Sequence, residues 1–379
     1  MESRRIDLVA AGPAPRDPYD PIAAAWALAS AAHAAGGSVR VLFPKGTLGG
    51  PDPEGVTGVP IGYPIRRPGA ALEAADFARA AGRMLQEDTE LVLRDPAGLG
   101  ALGVPGRPGR RARVVAFVRR LEVEAIDSEG PGPVGGLGDR IDRWRDRRAI
   151  RRLEREALTE ADTLVVERPE IGEALRRTHR IEADRLRTVP PVVPRLPEPP
   201  SREKARAALG IPPDVPTIVA PAATERPEDA RLDLVREGFR RIRPLFPGVR
   251  LIVAGLDSPS DPGLVAVPAR DPATFSSCFA AADIALLVPR STGFDPGLIF
   301  AQVGGCAVVA TESATLPDRA RSAVHTPPSD DPGDIASTLA ELAADPAAIR
   351  ASVSDGRAYA TRFDPARVLE AVAPSGRSR

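Results

Sequence analysis

The stretch STGFDPGLIFAQVGGCAVVA, residues 291–310, decides how the chain is read. An apolar run, ADIALLVP at 282–289, precedes it, and CAVVAT at 306–311 closes it, so the glycines sit at a turn from a buried strand into a helix over 297–304. Amides around Gly293 to Gly297 at the start of such a helix favour an anion, through free N–H groups and through the helix dipole. Asp295 works against that, because a carboxylate there caps the helix through the same amides. Either Thr292 or Asp295 serves as cap, with Pro296 at the first helical position.

Outward from this turn the same alternation recurs. RIDLVAAG, a helix over 21–35, VRVLF at 39–43, ARVVAFV at 112–118 and DTLVVE at 162–167 make up the first half; TIVAPA at 217–222 and VRLIVAG at 249–255 join the opening stretch in the second. Short apolar runs separated by helical segments are the pattern of βαβ units on parallel sheets. Two α/β layers are expected. TVPPVVPRLPEPPS, 188–201, has six prolines in fourteen residues and reads as the linker between them. The domain organisation is therefore 1–187, a linker at 188–201, 202–365 closed by amphipathic segments at 333–345 and 347–361, and a tail at 366–379.

With 379 residues the chain has room for two domains with cores of their own. Its 51 basic and 51 acidic residues cancel, which gives no overall field for a nucleic-acid partner. Lys45 and Lys204 are the only lysines, so 49 basic residues are arginine, a signature of coding bias rather than of mechanism. No leader pattern and no 18-residue apolar run occur, and a cytoplasmic protein is expected. Cys278 and Cys306 stand apart without histidine neighbours, and read as buried reduced thiols rather than metal ligands.

Two segments of the first half stand out. SEGPGPVGGLGDR, 128–140, with five glycines, reads as a loop, and IDRWRDRRAIRRLEREAL, 141–158, as an arginine-rich helix. Ile141, Trp144, Leu153 and Ala157 share one face of it. Its arginines either form a solvated face partnered by Asp142, Asp146, Glu154 and Glu156, or rest on anionic lipid as a peripheral membrane contact.

From Leu153 onward the order of phrases resembles glycosyltransferase family 4. LEREALTEADTLVVERPEIGEALRR, LRTVPPVVP, REKARAALGIPPDVPTIVA, PGVRLIVAG, CFAAADIALLVP, GGCAVVATES and FDPARV follow one another as the family's segments do. The resemblance covers about 150–365 and is poor over 1–150. It implies two Rossmann-like domains facing each other across a cleft, the GT-B architecture. It also implies retaining transfer of a sugar from a nucleotide-diphosphate donor, with no cofactor beyond that donor and no metal.

The family's donor turn carries a glutamate, Gly-Phe-Gly, a second glutamate and a later glycine. With Gly305 on that last glycine, Gly293 and Phe294 fall on Gly-Phe and Ala301 on the alanine after the second acid, while Thr292 and Phe300 replace the two glutamates and Asp295 the second glycine. A phenylalanine accepts no hydrogen bond from a ribose, a loss of about 1.5–3 kcal/mol per charged bond. The family's cationic clamp on the diphosphate falls on Glu225 and Ala230; Arg226 and Arg231, one residue away, are the candidates to replace it. The donor-binding set is thus Arg226, Arg231, Thr292, Gly293, Phe294, Asp295, Gly297 and Phe300, with no catalytic residue assigned. His33, His179 and His325 read as structural or surface residues. The acceptor is a glycan, a lipid or a small molecule. The alternative is an inactive chain of the same fold that partners or scaffolds an active transferase.

Overall fold

The structure, a computed structural model, describes residues 4–10, 22–46, 49–63, 70–94, 112–118, 137–222, 231–256, 261–268, 271–288, 294–311 and 323–372, without the side chains at 70–72, 74–75 and 137–147. These residues fall into two compact units. The chain passes from the first to the second between Pro194 and Arg195 and returns between Asp364 and Pro365.

Unit 1 carries β1 (Arg5–Val9), α1 (Ala23–Ala34), β2 (Ser38–Pro44), β3 (Val56–Ile61), α2 (Ala70–Gly82), β4 (Leu91–Arg94), β5 (Arg113–Val118), α3 (Leu137–Glu160), β6 (Thr163–Val166), α4 (Pro169–His179) and β7 (Leu186–Thr188). The strands form one parallel sheet in the order β3-β2-β1-β4-β5-β6-β7. Its central strands are buried along nearly their whole length, as parallel strands covered on both faces must be. One face packs Leu8, Leu93 and Phe117 with Trp26 and Leu28 of α1; the other packs Val92, Val114 and Leu164 with Phe77 of α2 and Leu158 of α3. At its amino-terminal half the sheet buries Asp7, which accepts two 2.8 Å bonds from Arg40 and one of 2.7 Å from Thr89.

Unit 2 carries α5 (Arg202–Ala208), β8 (Thr217–Pro221), α6 (Leu232–Ile242), β9 (Arg250–Ala254), β10 (Leu264–Val267), α7 (Pro272–Ala281), β11 (Ile284–Leu287), α8 (Gly297–Gly304), β12 (Ala307–Ala310), β13 (Val324–His325), α9 (Pro332–Ala344) and α10 (Pro346–Ala360). Its sheet is also parallel, ordered β10-β9-β8-β11-β12-β13. Asp-Pro opens several of these helices. Asp271, Asp331 and Asp345 each cap one by accepting from backbone amides, and the proline that follows supplies the first helical φ. Asp283, just before β11, accepts from Arg202 and Arg206 at 2.6 and 2.7 Å and from the Thr217 amide at 2.9 Å, tying α5 to the amino-terminal edge of the sheet.

Three sequence expectations change. The arginine-rich helix starts at Leu137, inside the expected loop, and runs to Glu160. On it Glu156 does pair with Arg152, at 2.7 Å, but Glu154 is not a surface partner: it is fully buried and meets His179 at 3.1 Å. Residues 365–372 are not a loose tail. They form α11 (Pro365–Val372), whose Val368, Leu369 and Val372 join the core of unit 1. The proline-rich stretch is likewise built into both units, since Val189 and Val192 are buried in unit 1 and the Pro197 carbonyl accepts from Ser276 in unit 2. No helix among the described residues is long and apolar enough to cross a membrane.

Candidate functional site

In a parallel α/β sheet the place for a ligand is the carboxyl edge where strand order reverses, because the loops on either side diverge there and leave a crevice. In unit 2 the chain runs outward from β8 through β9 to β10, then returns to place β11 on the other side of β8. The reversal therefore lies between β8 and β11. The segment after β8 ends at Arg231 and the segment after β11 ends at Phe294 to Gly297. Topology thus brings Arg231 and the donor-like turn to one edge, though 65 positions or so separate them in sequence.

Arg231 stands immediately before α6 with φ 43°, in the left-handed region that non-glycine residues seldom occupy. Its Nη1 donates to Asp330 Oδ2 at 2.5 Å, and the side chain is about a quarter exposed. Asp330 comes from the segment between β13 and α9, where the neighbouring residues are fixed by Ser329 donating to Asp334 and by Asp331 capping α9. The expected cation is therefore present at the edge, already holding a carboxylate.

The turn before α8 is equally committed. Asp295 accepts from the Gly297 amide at 2.7 Å, but unlike Asp271, Asp331 and Asp345 it stands one position before the cap: Pro296, expected at the first helical position, is itself the N-cap of α8, with helical backbone and no capping side chain. Burial pushes its carboxyl above the usual carboxylate range, against the opposing effect of the Gly297 hydrogen bond. Phe294 stacks on Phe363, with ring centroids 5.2 Å apart and planes 8° apart, and Phe363 in turn packs on Tyr359.

Phe300 is not at the edge. It is buried, with 2% of its surface exposed, and its ring meets Phe275 of α7 edge-on with centroids 6.1 Å apart. One turn later Gly304 approaches α7 so closely that a Cβ would lie 2.5 Å from that of Phe279. The residue in place of the family's second acid therefore packs α8 on α7 and has no surface to offer a nucleotide. Gly305 ends α8 with φ 86°, the left-handed C-terminal position that glycine fills without strain. Arg226, Thr292 and Gly293 lie outside the described residues.

Sequence reasoning missed Asp330, Phe363 and the pairing of Arg195 with Asp364. The doubled aspartate in PPSDDP was a signal, since one residue suffices to cap α9. Arg195 donates to Asp364 at 2.6 and 2.8 Å, joining the two points at which the chain enters and leaves unit 2. Unit 1 reverses strand order between β1 and β4, and there Arg94 at the end of β4 is 2% exposed, in register with Val9 and Ala116. Of the histidines, His179 serves the buried Glu154 contact, His33 meets the Gly37 carbonyl at 3.2 Å, and burial lowers the pKa of His325. No cluster of metal-ligating side chains occurs among the described residues.

Residues 21–192 match the family model described as a glycosyl transferase 4-like domain. The whole chain resembles solved glycosyltransferase structures. WaaG, a glycosyltransferase involved in lipopolysaccharide biosynthesis, superposes with a TM-score of 0.65 at 17% identity, over 98% of this chain and 100% of that one. Sucrose-phosphate synthase from Thermosynechococcus elongatus gives 0.63 at 18%, over 98% and 96%. HepE from Anabaena, solved with UDP-glucose, gives 0.63 at 12%, over 97% and 98%. The chain has no match among curated protein sequences. At these identities the likeness establishes the fold, two parallel α/β sheets with interleaved helices, as in GT-B glycosyltransferases.

Proposed function

We propose that the chain, whose residues 21–192 match the model of a glycosyl transferase 4-like domain, transfers a sugar, with retention, from a nucleotide-diphosphate donor to a glycan, lipid or small-molecule acceptor. Unit 2 takes the donor at the β8/β11 edge. The observation that carries this reading is the convergence of Arg231 and the Phe294–Gly297 turn on that reversal point. A neighbour of the same fold binds UDP-glucose, which supports a nucleotide sugar as the ligand class.

Retaining transfer on this reading draws its rate from placing donor and acceptor together and from stabilising charge on the departing diphosphate. Arg231 supplies that charge, with Arg226 as its companion on the same segment. Its guanidinium has five N–H donors in a fork that suits phosphate oxygens. In sequence Thr292 stands where the family has an acid, and brings a hydroxyl in place of that charge. Unit 1 presents the acceptor, and the exposed arginines of α3, Arg151, Arg152 and Arg155, are the side chains of a peripheral membrane contact if the acceptor is a lipid.

One observation favours a second reading, an inactive partner of an active transferase: Phe300 belongs to the core, so the ribose has no acid at that position. Titration calorimetry with UDP, GDP, ADP and TDP at millimolar concentration separates the two. Saturable binding that Arg231→Ala weakens supports the transferase; no binding by any of the four leaves the scaffold reading.

A further inference from the structure

Both anion-attracting features of the β8/β11 edge are occupied by carboxylates of the chain itself. Arg231 donates through Nη1 to Asp330, and the first free amide of α8, that of Gly297, donates to Asp295. The two contacts come from different parts of the fold, Asp330 from the segment after β13 and Asp295 from the turn after β11. The Oδ1 atom of Asp330 is buried without a hydrogen-bond partner although the side chain as a whole is about a third exposed, so the charge of this carboxylate is balanced chiefly through Oδ2 by Arg231. Arg231 itself has a left-handed backbone, φ 43°.

We propose that Asp330 and Asp295 are specificity-determining residues that set the charge selectivity of this edge. On the donor reading each carboxylate takes up a donor, Arg231 Nη1 or the Gly297 amide, that a diphosphate would use, so each lowers without abolishing the affinity of the edge for the charged part of that ligand. A phosphate approaching Arg231 must either displace Asp330 or share the guanidinium with it, and a phosphate approaching Gly297 meets the Asp295 carboxylate. The nucleoside and sugar portions, being uncharged, carry no such penalty. Asp330 does not cap α9, a task that Asp331 performs. Its removal therefore leaves the helix start intact. The inference rests on the donor reading of this edge and specifies which chemical part of the donor the edge resists.

The test compares wild type, Asp330→Asn, Asp295→Asn and the double variant of the full chain, titrated calorimetrically with UDP, GDP, ADP and TDP, and with uridine, guanosine, adenosine and thymidine as uncharged probes. Asparagine keeps the shape and one acceptor oxygen at each position. Melting temperature verifies that each variant is folded, and Asp330→Ser replaces Asp330→Asn should the latter fail to fold. The expected result is at least a tenfold gain in affinity for a nucleoside diphosphate in Asp330→Asn, a larger gain in the double variant, and no change for the matching nucleoside. Wild type that binds a diphosphate with no gain in the variants overturns the inference and leaves the donor reading standing. A wild type that does not bind, with variants that do, upholds the inference and counts against the native chain as a transferase. No binding by any of these chains overturns both.

Discussion

The ring of Phe294 lies parallel to that of Phe363, 5.2 Å away, which fastens the turn before α8 to the segment that leaves unit 2 at Asp364. Phe363 is 3% exposed, whereas Phe294 is half-buried. Phe363→Ala should cost about 3–5 kcal/mol of stability as a core cavity. Phe294→Leu should cost only about 0.5–1.5 kcal/mol, the worth of the ring pair. Urea unfolding of the two variants checks the difference, and equal losses would show that the stack is not what sets the cost.

Asp283 holds the other edge of the same sheet. Arg206, whose side chain is 5% exposed, is left as a buried charge with one carboxylate fewer in Asp283→Ala, and the Thr217 amide loses its acceptor. A loss of about 3–5 kcal/mol is expected from breaking a buried pair of this kind. Thermal unfolding measures it; a loss below about 1 kcal/mol, the size of an exposed pair, would refute the account.

Gln302 on α8 is fully buried, and neither its Oε1 nor its Nε2 has a hydrogen-bond partner. It packs against Gly356 of α10, where a Cβ would come within 2.9 Å of its Cγ. Gln302→Met keeps the volume and removes the stranded amide, so stability should rise by about 1–3 kcal/mol. A fall on denaturant titration would mean that the amide is satisfied by a buried water.

The raised pKa of Asp295 has a defined sign in stability. Folding holds its proton to higher pH than the unfolded chain does, so this group's contribution is full below the ordinary carboxylate pKa and falls as pH rises through the raised one. Asp295→Asn keeps an acceptor for Gly297 and abolishes that fall. The melting temperature of the variant relative to wild type should therefore be higher at about pH 7 than at about pH 4; the opposite slope would show that the carboxylate is favoured at the helix start.

The alternation of apolar runs and helices made both sheets legible, because strands buried on two faces spell continuous hydrophobic runs. The span of α8 over 297–304 was legible but its cap was not, since Pro296 stands at the N-cap rather than at the first helical position. What escaped was short or weakly apolar. VTGVPI of β3 is a sheet-edge strand whose middle residues are partly open, and β10 and β13 have only four and two residues. α11 was hidden because its three apolar residues reveal no partner until the chain returns to unit 1. At the β8/β11 edge the sequence offered the turn and Arg231 as candidates, and their packing partners were not legible. That Arg231 and Asp330 meet across 99 positions, and that Phe300 faces Phe275 rather than the edge, depend on tertiary packing that local sequence does not encode.

The central claim is that the β8/β11 edge of unit 2 takes a nucleotide-sugar donor through Arg231. Calorimetric titration of wild type and Arg231→Ala with UDP, GDP, ADP and TDP tests it most directly. The account predicts saturable millimolar binding of at least one of the four that weakens about tenfold or more in Arg231→Ala, the size expected when one charge-assisted hydrogen bond of about 1.5–3 kcal/mol is lost. Equal affinity in the two chains, with both folded, would contradict it.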